Sequence, residues 1–402
     1  MMRVFVYHYN ALYRMILFVI HGGIKKGGLK ILSVIKTMNI NEEDYNDGYY
    51  HISKDINDYP DADIIIVWSP RGPGKTYSSL RYPYHKFKTL YMKRTKKDVQ
   101  TICTSEAKEG INFDASPWSP LNRDFGTNVK GRLLMDGIGA FYDADENGDP
   151  AGEVINYVAA LNSIKTIKGI DLSDVEWMLL DEFIPLKGEV VKRDEGEMLL
   201  DIYETVSRDR IKRGRAPLKL ILMANAEEIS TPITNSLEVV DTMAWMQAMN
   251  INIYYDEKRG ILFHHITGDE YPVTEQKSKR GLSRAMAGTA WAEKSYGGNF
   301  ASNDFSNVEK KNLKNMRCMY HLKYRRQNHA YIYLQKNTGM WYMTSIKGNH
   351  MQEYDLDREN QQKRFWLQHG IDLRNACIED RMKFEKYSYY DLIMNYTKIY
   401  NL

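Results

Sequence analysis

Residues 64–76, Ile-Ile-Ile-Val-Trp-Ser-Pro-Arg-Gly-Pro-Gly-Lys-Thr, constrain the fold more than any other stretch. An apolar run of strand length stops there at a glycine-rich turn ending in Gly74-Lys75-Thr76. A strand that turns sharply into a helix aims backbone N–H groups and a helix N-terminus at one point, where phosphate oxygens are held. In this P-loop grammar Lys75 adds a point charge at the β/γ oxygens and Thr76 a hydroxyl for Mg²⁺. Ser69, Arg71, Gly72, Gly74, Lys75, Thr76 and Tyr77 are the expected nucleotide-binding set, with ATP and Mg²⁺ as ligands. Ser69 stands where the G-x-x-x-x-G-K-[ST] pattern has its first glycine. A bare Gly-Lys-Thr also occurs in ordinary surface turns, so its neighbours decide.

Residues 175–183, Val-Glu-Trp-Met-Leu-Leu-Asp-Glu-Phe, form a second buried-type strand, ending in two adjacent carboxylates. Strand ends in a doubly wound sheet converge on the ligand crevice, so Asp181 is placed to hold Mg²⁺. A second acid beside it suits attack by water, and Glu182 is the candidate general base. The competing view is a strand ending in a solvated acidic turn. Helical spacing of Met198, Leu199, Ile202, Val206 and Ile211 predicts a helix within residues 195–213, with Arg208, Arg210, Lys212 and Arg213 crowding its end. Residues 218–225 predict a third buried strand with Asn225 at its tip, positioned to sense the γ-phosphate and water. This order matches an α/β fold, the P-loop NTPase of the hydrolysing ring type with an additional central strand. Arg208 or Arg210 could reach a neighbouring subunit's nucleotide, or serve as helix-end cations or phosphate contacts.

The runs 67–77, Arg81-Tyr-Pro, Leu90-Tyr-Met-Lys-Arg-Thr-Lys-Lys, Leu180-Asp-Glu-Phe-Ile, Thr205-Val-Ser-Arg-Asp-Arg and Met223-Ala-Asn-Ala resemble the DNA-encapsidation ATPases of phi29-like podophages. The resemblance spans residues 45–350. It implies ATP-driven packaging of double-stranded DNA into a preformed procapsid by a homo-oligomeric ring, a pentamer, at the portal, with a structural packaging RNA in some relatives. By that pattern Arg208 is a trans-acting arginine finger and Lys168, with Lys165 as rival, a further functional lysine. The implied location is the host cytoplasm, transiently at the procapsid portal and not in the mature virion. A large terminase with an active nuclease, or a capsid adaptor that binds nucleotide without hydrolysing it, are the alternatives.

With a net charge of +3 over 402 residues, any DNA surface must come from local clusters. Lys93, Arg94, Lys96 and Lys97 make one, residues 208–219 a second, Lys277 to Arg284 a third, and Lys310 to Arg317 a fourth. Cys103, Cys318 and Cys377 are scattered and odd in number, which predicts a reducing compartment and no zinc site. His264 and His265, adjacent on a strand, would face opposite ways. The apolar run within residues 1–37 is short of the roughly 20 residues a membrane helix needs, so no stable membrane association is expected. Residues 1–37 read as an extension outside the native fold.

The expected organisation is residues 38–240 as the ATPase domain, 241–275 as a linker and 276–402 as a smaller C-terminal α+β domain. Within 103–160, the segments 131–135 and 140–142 predict a hairpin with the acidic turn 143–150 at a solvated tip. Beyond 255, the aromatic runs 319–324, 330–334 and 340–344 predict an antiparallel meander. In packaging motors the corresponding domain is similar to RNase-H-like nucleases. Two-metal cleavage needs clustered carboxylates, and these three strands contain no Asp or Glu. The expectation is therefore an inactive domain that grips nucleic acid, with Lys323, Arg325, Arg326 and the tyrosines as contacts.

Overall fold

The computed structural model describes residues 40, 43–108, 111–208, 210–300, 303–325 and 327–400. The expected extension, residues 1–37, lies outside them. The strands run, in chain order, Ile64–Ser69 (β1), Lys88–Lys93 (β2), Ser105–Lys108 (β3), Ile111–Asp114 (β4), Val129–Met135 (β5), Ile138–Ala144 (β6), Pro150–Ala160 (β7), Val175–Asp181 (β8), Lys219–Asn225 (β9), Ile253–Asp256 (β10) and Ile261–His265 (β11). All but β3 and β4, which form a separate ribbon, join one sheet in the order β10-β11-β1-β9-β8-β2-β7-β6-β5. From β11 to β7 every pairing is parallel. Parallel strands are covered on both faces, which explains their near-continuous apolar sequences. Ile66, Trp68, Leu90, Met92, Met178 and Leu180 pack on one side, while Ile65, Val67, Tyr91, Trp177, Leu179 and Ile221 pack on the other, following the two-residue period of a strand. β9 lies between β1, which leads into the glycine turn, and the acidic strand β8.

Residues 241–275, expected as a linker, are instead part of this sheet's architecture. The helix Val240–Met249 packs Val240, Met243 and Met246 into the core, and β11 is the parallel neighbour of β1. The short apolar run of β11 carries two histidines, which hid its character as a central strand. In the insertion, β5 and β6 pair antiparallel as expected. They turn at Asp136-Gly137, however, and the acidic turn joins β6 to β7, where the Asp145 carboxylate accepts from the backbone N–H groups of Asn147 and Asp149 at 2.9 Å.

The chain continues into Met316–Tyr324 (β12), Asn328–Gln335 (β13), Trp341–Thr344 (β14), Gln352–Asp355 (β15) and Met382–Phe384 (β16). The meander β12-β13-β14 is flanked by β15, parallel to β12, and β16, parallel to β14. Helices after β15 bury Phe365, Trp366, Leu373 and Ile393 against Leu322, Ala330, Ile332 and Met343. Tyr324, Tyr331, Tyr333 and Tyr342 are buried, so these tyrosines fill the structure and are not surface contacts. Arg325 donates to Asn235 of the first sheet's helical layer, 2.9 Å to Oδ1, Lys323 pairs with Glu353, and Arg326 lies outside the described residues. Among those residues no helix is long and apolar enough to cross a membrane.

Candidate active site

Parallel pairing brings the C-terminal ends of β1, β9 and β8 side by side. Ser69 is in register with Asn225, and Met223, two residues before Asn225, with Asp181. The turn after β1 uses Gly72 and Gly74 at φ 94° and 105°, a backbone region in which a Cβ is strained. It then enters the helix Lys75–Arg81. From the flank, the backbone N–H of Tyr50 donates to the Pro73 carbonyl at 2.9 Å and that of Ile52 to Ser78 Oγ at 2.6 Å. A cavity of about 380 Å³ opens here, lined by the turn, Lys75, Thr76, Tyr77, Asp181, Glu182 and Asn225.

The Lys75 ammonium is buried and donates to Ser69 Oγ and to Asn225 Oδ1, the latter at 3.3 Å. Burial pushes its pKa down to about 8, against the pull of Asp181 and Glu182. The Ser69 hydroxyl in turn donates to the Pro70 carbonyl at 2.6 Å. The serine at the first-glycine position therefore fits the turn, and its side chain becomes a partner of the lysine.

Thr76 Oγ1 donates to Asp181 at 3.2 Å, the pairing that a shared Mg²⁺ would bridge. Asp181 also accepts from Tyr91 at 2.7 Å and Lys93 at 2.9 Å. Burial alone would raise its pKa; Lys93, Tyr91 and Lys75 outweigh that and hold it below the usual carboxylate range. Glu182 adopts φ 59°, left-handed and uncommon for a non-glycine residue. Its largely exposed carboxylate lines the cavity and pairs with Lys93 Nζ at 2.9 Å. One ammonium thus bridges both acids.

Tyr91 and Lys93 escaped the sequence-based site. Lys93 was grouped with a DNA-facing basic cluster, although strand alternation puts Tyr91 and Lys93 on one face and Lys93 at a C-terminal strand end, the signal that finds it. Arg94 is buried, bound to Glu195 at 2.9 Å and to Glu189 at 2.6 Å, so it is not a free surface cation. Arg208 and Lys168 do not line the cavity. The predicted helix ends at Ser207, and Arg208 is exposed just beyond it. Arg210 is buried, donating to the Val175 carbonyl, to Glu176 at 3.0 Å and to the Ala216 carbonyl at 2.9 Å. It fastens the start of β8, at the far end from Asp181. Lys168 is exposed and 3.5 Å from Asp201, and Lys165 is exposed too. His264 and His265 do face opposite ways: one bonds Asp55, the other stacks on Trp68.

The family model for the podovirus DNA encapsidation protein (Gp16) matches residues 49–367. The chain belongs to that family. Two solved structures share the fold of this DNA encapsidation protein. The bacteriophage Phi-29 viral genome packaging motor assembly aligns at TM-score 0.59 and 16% identity, over 88% of this chain and 99% of that one. The Phi-28 gp11 DNA packaging motor aligns at TM-score 0.52 and 16% identity, over 88% and 98%. No curated protein matches in sequence.

Proposed function

We propose that this encapsidation protein is an ATP hydrolase that moves double-stranded DNA into a procapsid as one subunit of a ring, a pentamer, at the portal. The carrying observation is the convergence of Lys75, Thr76, Asp181, Glu182 and Asn225 on one cavity. The strand order, with β9 between β1 and β8, supports a P-loop NTPase of the additional-strand, catalytic-glutamate type. The residues fit Mg-ATP: the glycine turn and Lys75 would hold the phosphates, and Thr76 and Asp181 the Mg²⁺, which supplies charge neutralisation when bound. Glu182 would orient and deprotonate water once Lys93 releases it, and Asn225 would position that water.

Arg208 is exposed just past the end of its helix and does not line its own cavity, which supports action on a neighbour's nucleotide in trans. Lys168, with Lys165 as rival, is proposed as a further functional lysine that acts in trans. The β12-β13-β14 meander with two parallel flanking strands supports an RNase-H-like second domain, proposed to be catalytically inactive and to contact DNA. Portal, procapsid and a structural packaging RNA are the proposed partners, in the host cytoplasm.

Steady-state ATP hydrolysis by the purified chain with and without long double-stranded DNA tests this. DNA-stimulated turnover is expected to drop ~10²–10⁴-fold in Glu182→Gln, the loss typical of a positioned base. ATP binding without turnover, in ring-forming conditions with DNA and portal supplied, would sink the proposal.

A further inference from the structure

The second sheet carries a polar cluster on the face opposite its helices. Strand alternation sends Leu322, Ala330 and Tyr354 into the helical core, so their neighbours His321, His329 and Glu353 emerge together on the other side. His321 and Glu353 are register partners on β12 and β15, and His350 reaches the same point from the loop before β15. One oxygen, Glu353 Oε2, lies 2.9 Å from His321 Nδ1 and 3.6 Å from His350 Nε2. One ligand atom from each of the three residues falls within 4.8 Å of the others. Nitrogen and oxygen ligands around a tetrahedral Zn²⁺, each about 2 Å from the metal, stand about 3.3 Å apart.

The outward nitrogens are engaged as a ligating imidazole requires. His321 Nε2 lies 2.9 Å from His329 Nδ1, and His350 Nδ1 faces the Gly348 carbonyl at 3.4 Å. A ligating histidine donates its other N–H to such a partner, which fixes the tautomer and leaves the inner lone pair free. Lys323 occupies the other Glu353 oxygen, Oε1, at 2.5 Å. The site is rigidly framed. His321 is buried and stacks on Tyr331 with ring centroids 4.4 Å apart. The loop that carries His350 is pinned where Tyr333 donates to the Ile346 carbonyl at 2.9 Å. A Cβ at Gly348 would meet Tyr333 Oη at 2.3 Å.

We propose that His321, His350 and Glu353 bind one divalent transition-metal cation of the Zn²⁺ class, with His329 orienting His321 from behind. The cysteine spacing pointed away from zinc, and no cysteine takes part. Glu353 is exposed and His350 partly so, so a metal held here would be reached from solvent.

The test is competition of the full chain against a chromophoric chelator for Zn²⁺, with Co²⁺ absorption reporting coordination. One ion per chain is expected, with the intense visible bands of a four-coordinate site. His350→Ala and Glu353→Gln should each weaken binding at least about 100-fold and His329→Phe about tenfold, while melting without metal shows that each variant is folded. Zn²⁺ bound equally well by the folded His350→Ala and Glu353→Gln variants, or not saturably bound by the unaltered chain, would overturn the proposal.

Discussion

At Lys75 the same burial that builds the cavity also makes the lysine titrate near working pH. With its pKa at about 8 in the free protein, Lys75 is charged below that value and neutral above it. Phosphates that need the ammonium must then import a proton. ATP affinity should be flat below pH 8 and weaken about tenfold per pH unit above it. Lys75→Arg, whose guanidinium stays protonated, should show no such slope; a fluorescent ATP analogue titrated from pH 7 to 9.5 decides. The two arginines separate equally cleanly. Arg208→Ala should melt like the unaltered chain yet lose ring ATPase activity about 10³-fold or more if it is the finger. Arg210→Ala removes the buried guanidinium that holds Glu176 and the Val175 and Ala216 carbonyls and should cost about 1–3 kcal/mol in denaturant unfolding. The convergence of Lys75, Thr76, Asp181, Glu182 and Asn225 was legible because the last three close apolar runs and the first two follow the glycine turn after another. Arg208 and Arg210 were not separable, because two basic residues past a helix end look alike until β8 buries one of them.

Among the elements that sequence periodicity missed, β11 is the parallel neighbour of β1 in the first sheet. Its His264 is buried between Asp55 Oδ2 and Glu270 Oε1, each at 2.8 Å. Burial pushes the imidazole down, but the two carboxylates overcome this and raise it to about 9. A folded-state pKa above the unfolded value of 6.5 contributes stability that is complete below pH 6.5 and lost as pH rises through 9. The span corresponds to about 3 kcal/mol. Urea unfolding at pH 6 and pH 9.5 should show that loss in the unaltered chain relative to His264→Gln; equal pH dependence in both would rule it out. The long parallel strands were readable because burial on both faces leaves an unbroken apolar run. β11 was not, since a charged pair satisfied inside the protein reads on paper as a polar loop. The meander was readable by its turns and alternation, but β15 and its Glu353 lay beyond the strands that the aromatic pattern marked.

For the whole molecule, the two sheets share material across the boundary drawn from composition. Tyr387 of the C-terminal segment belongs to the first core, and Ser388 donates to Asp241 at 2.7 Å. The change in grammar after residue 255 was visible, yet nothing local to a sequence tells where a sheet stops recruiting strands. The segment after β11 returns to the glycine turn itself. Arg71 N–H donates to the Ser295 carbonyl at 3.2 Å and Lys277 Nζ to the Gly72 carbonyl at 3.3 Å. At Gly298, φ 77°, a Cβ would collide with Pro70 Cδ at 2.7 Å. Phe300 then stacks near Trp68 of β1, with centroids 6.0 Å apart. The place where the chain can be cut follows from this. Proteins shortened to end at residue 240 or 275 should fail to bind nucleotide, the first for want of β11 and the second for want of the brace. One ending at residue 300 should retain binding, with a lower melting temperature from the missing Tyr387. Nucleotide titration of the three, with melting curves, tells them apart. Anyone excising the half of this protein that carries the glycine turn must therefore carry along a stretch that looks, by position, as if it belonged to the other half.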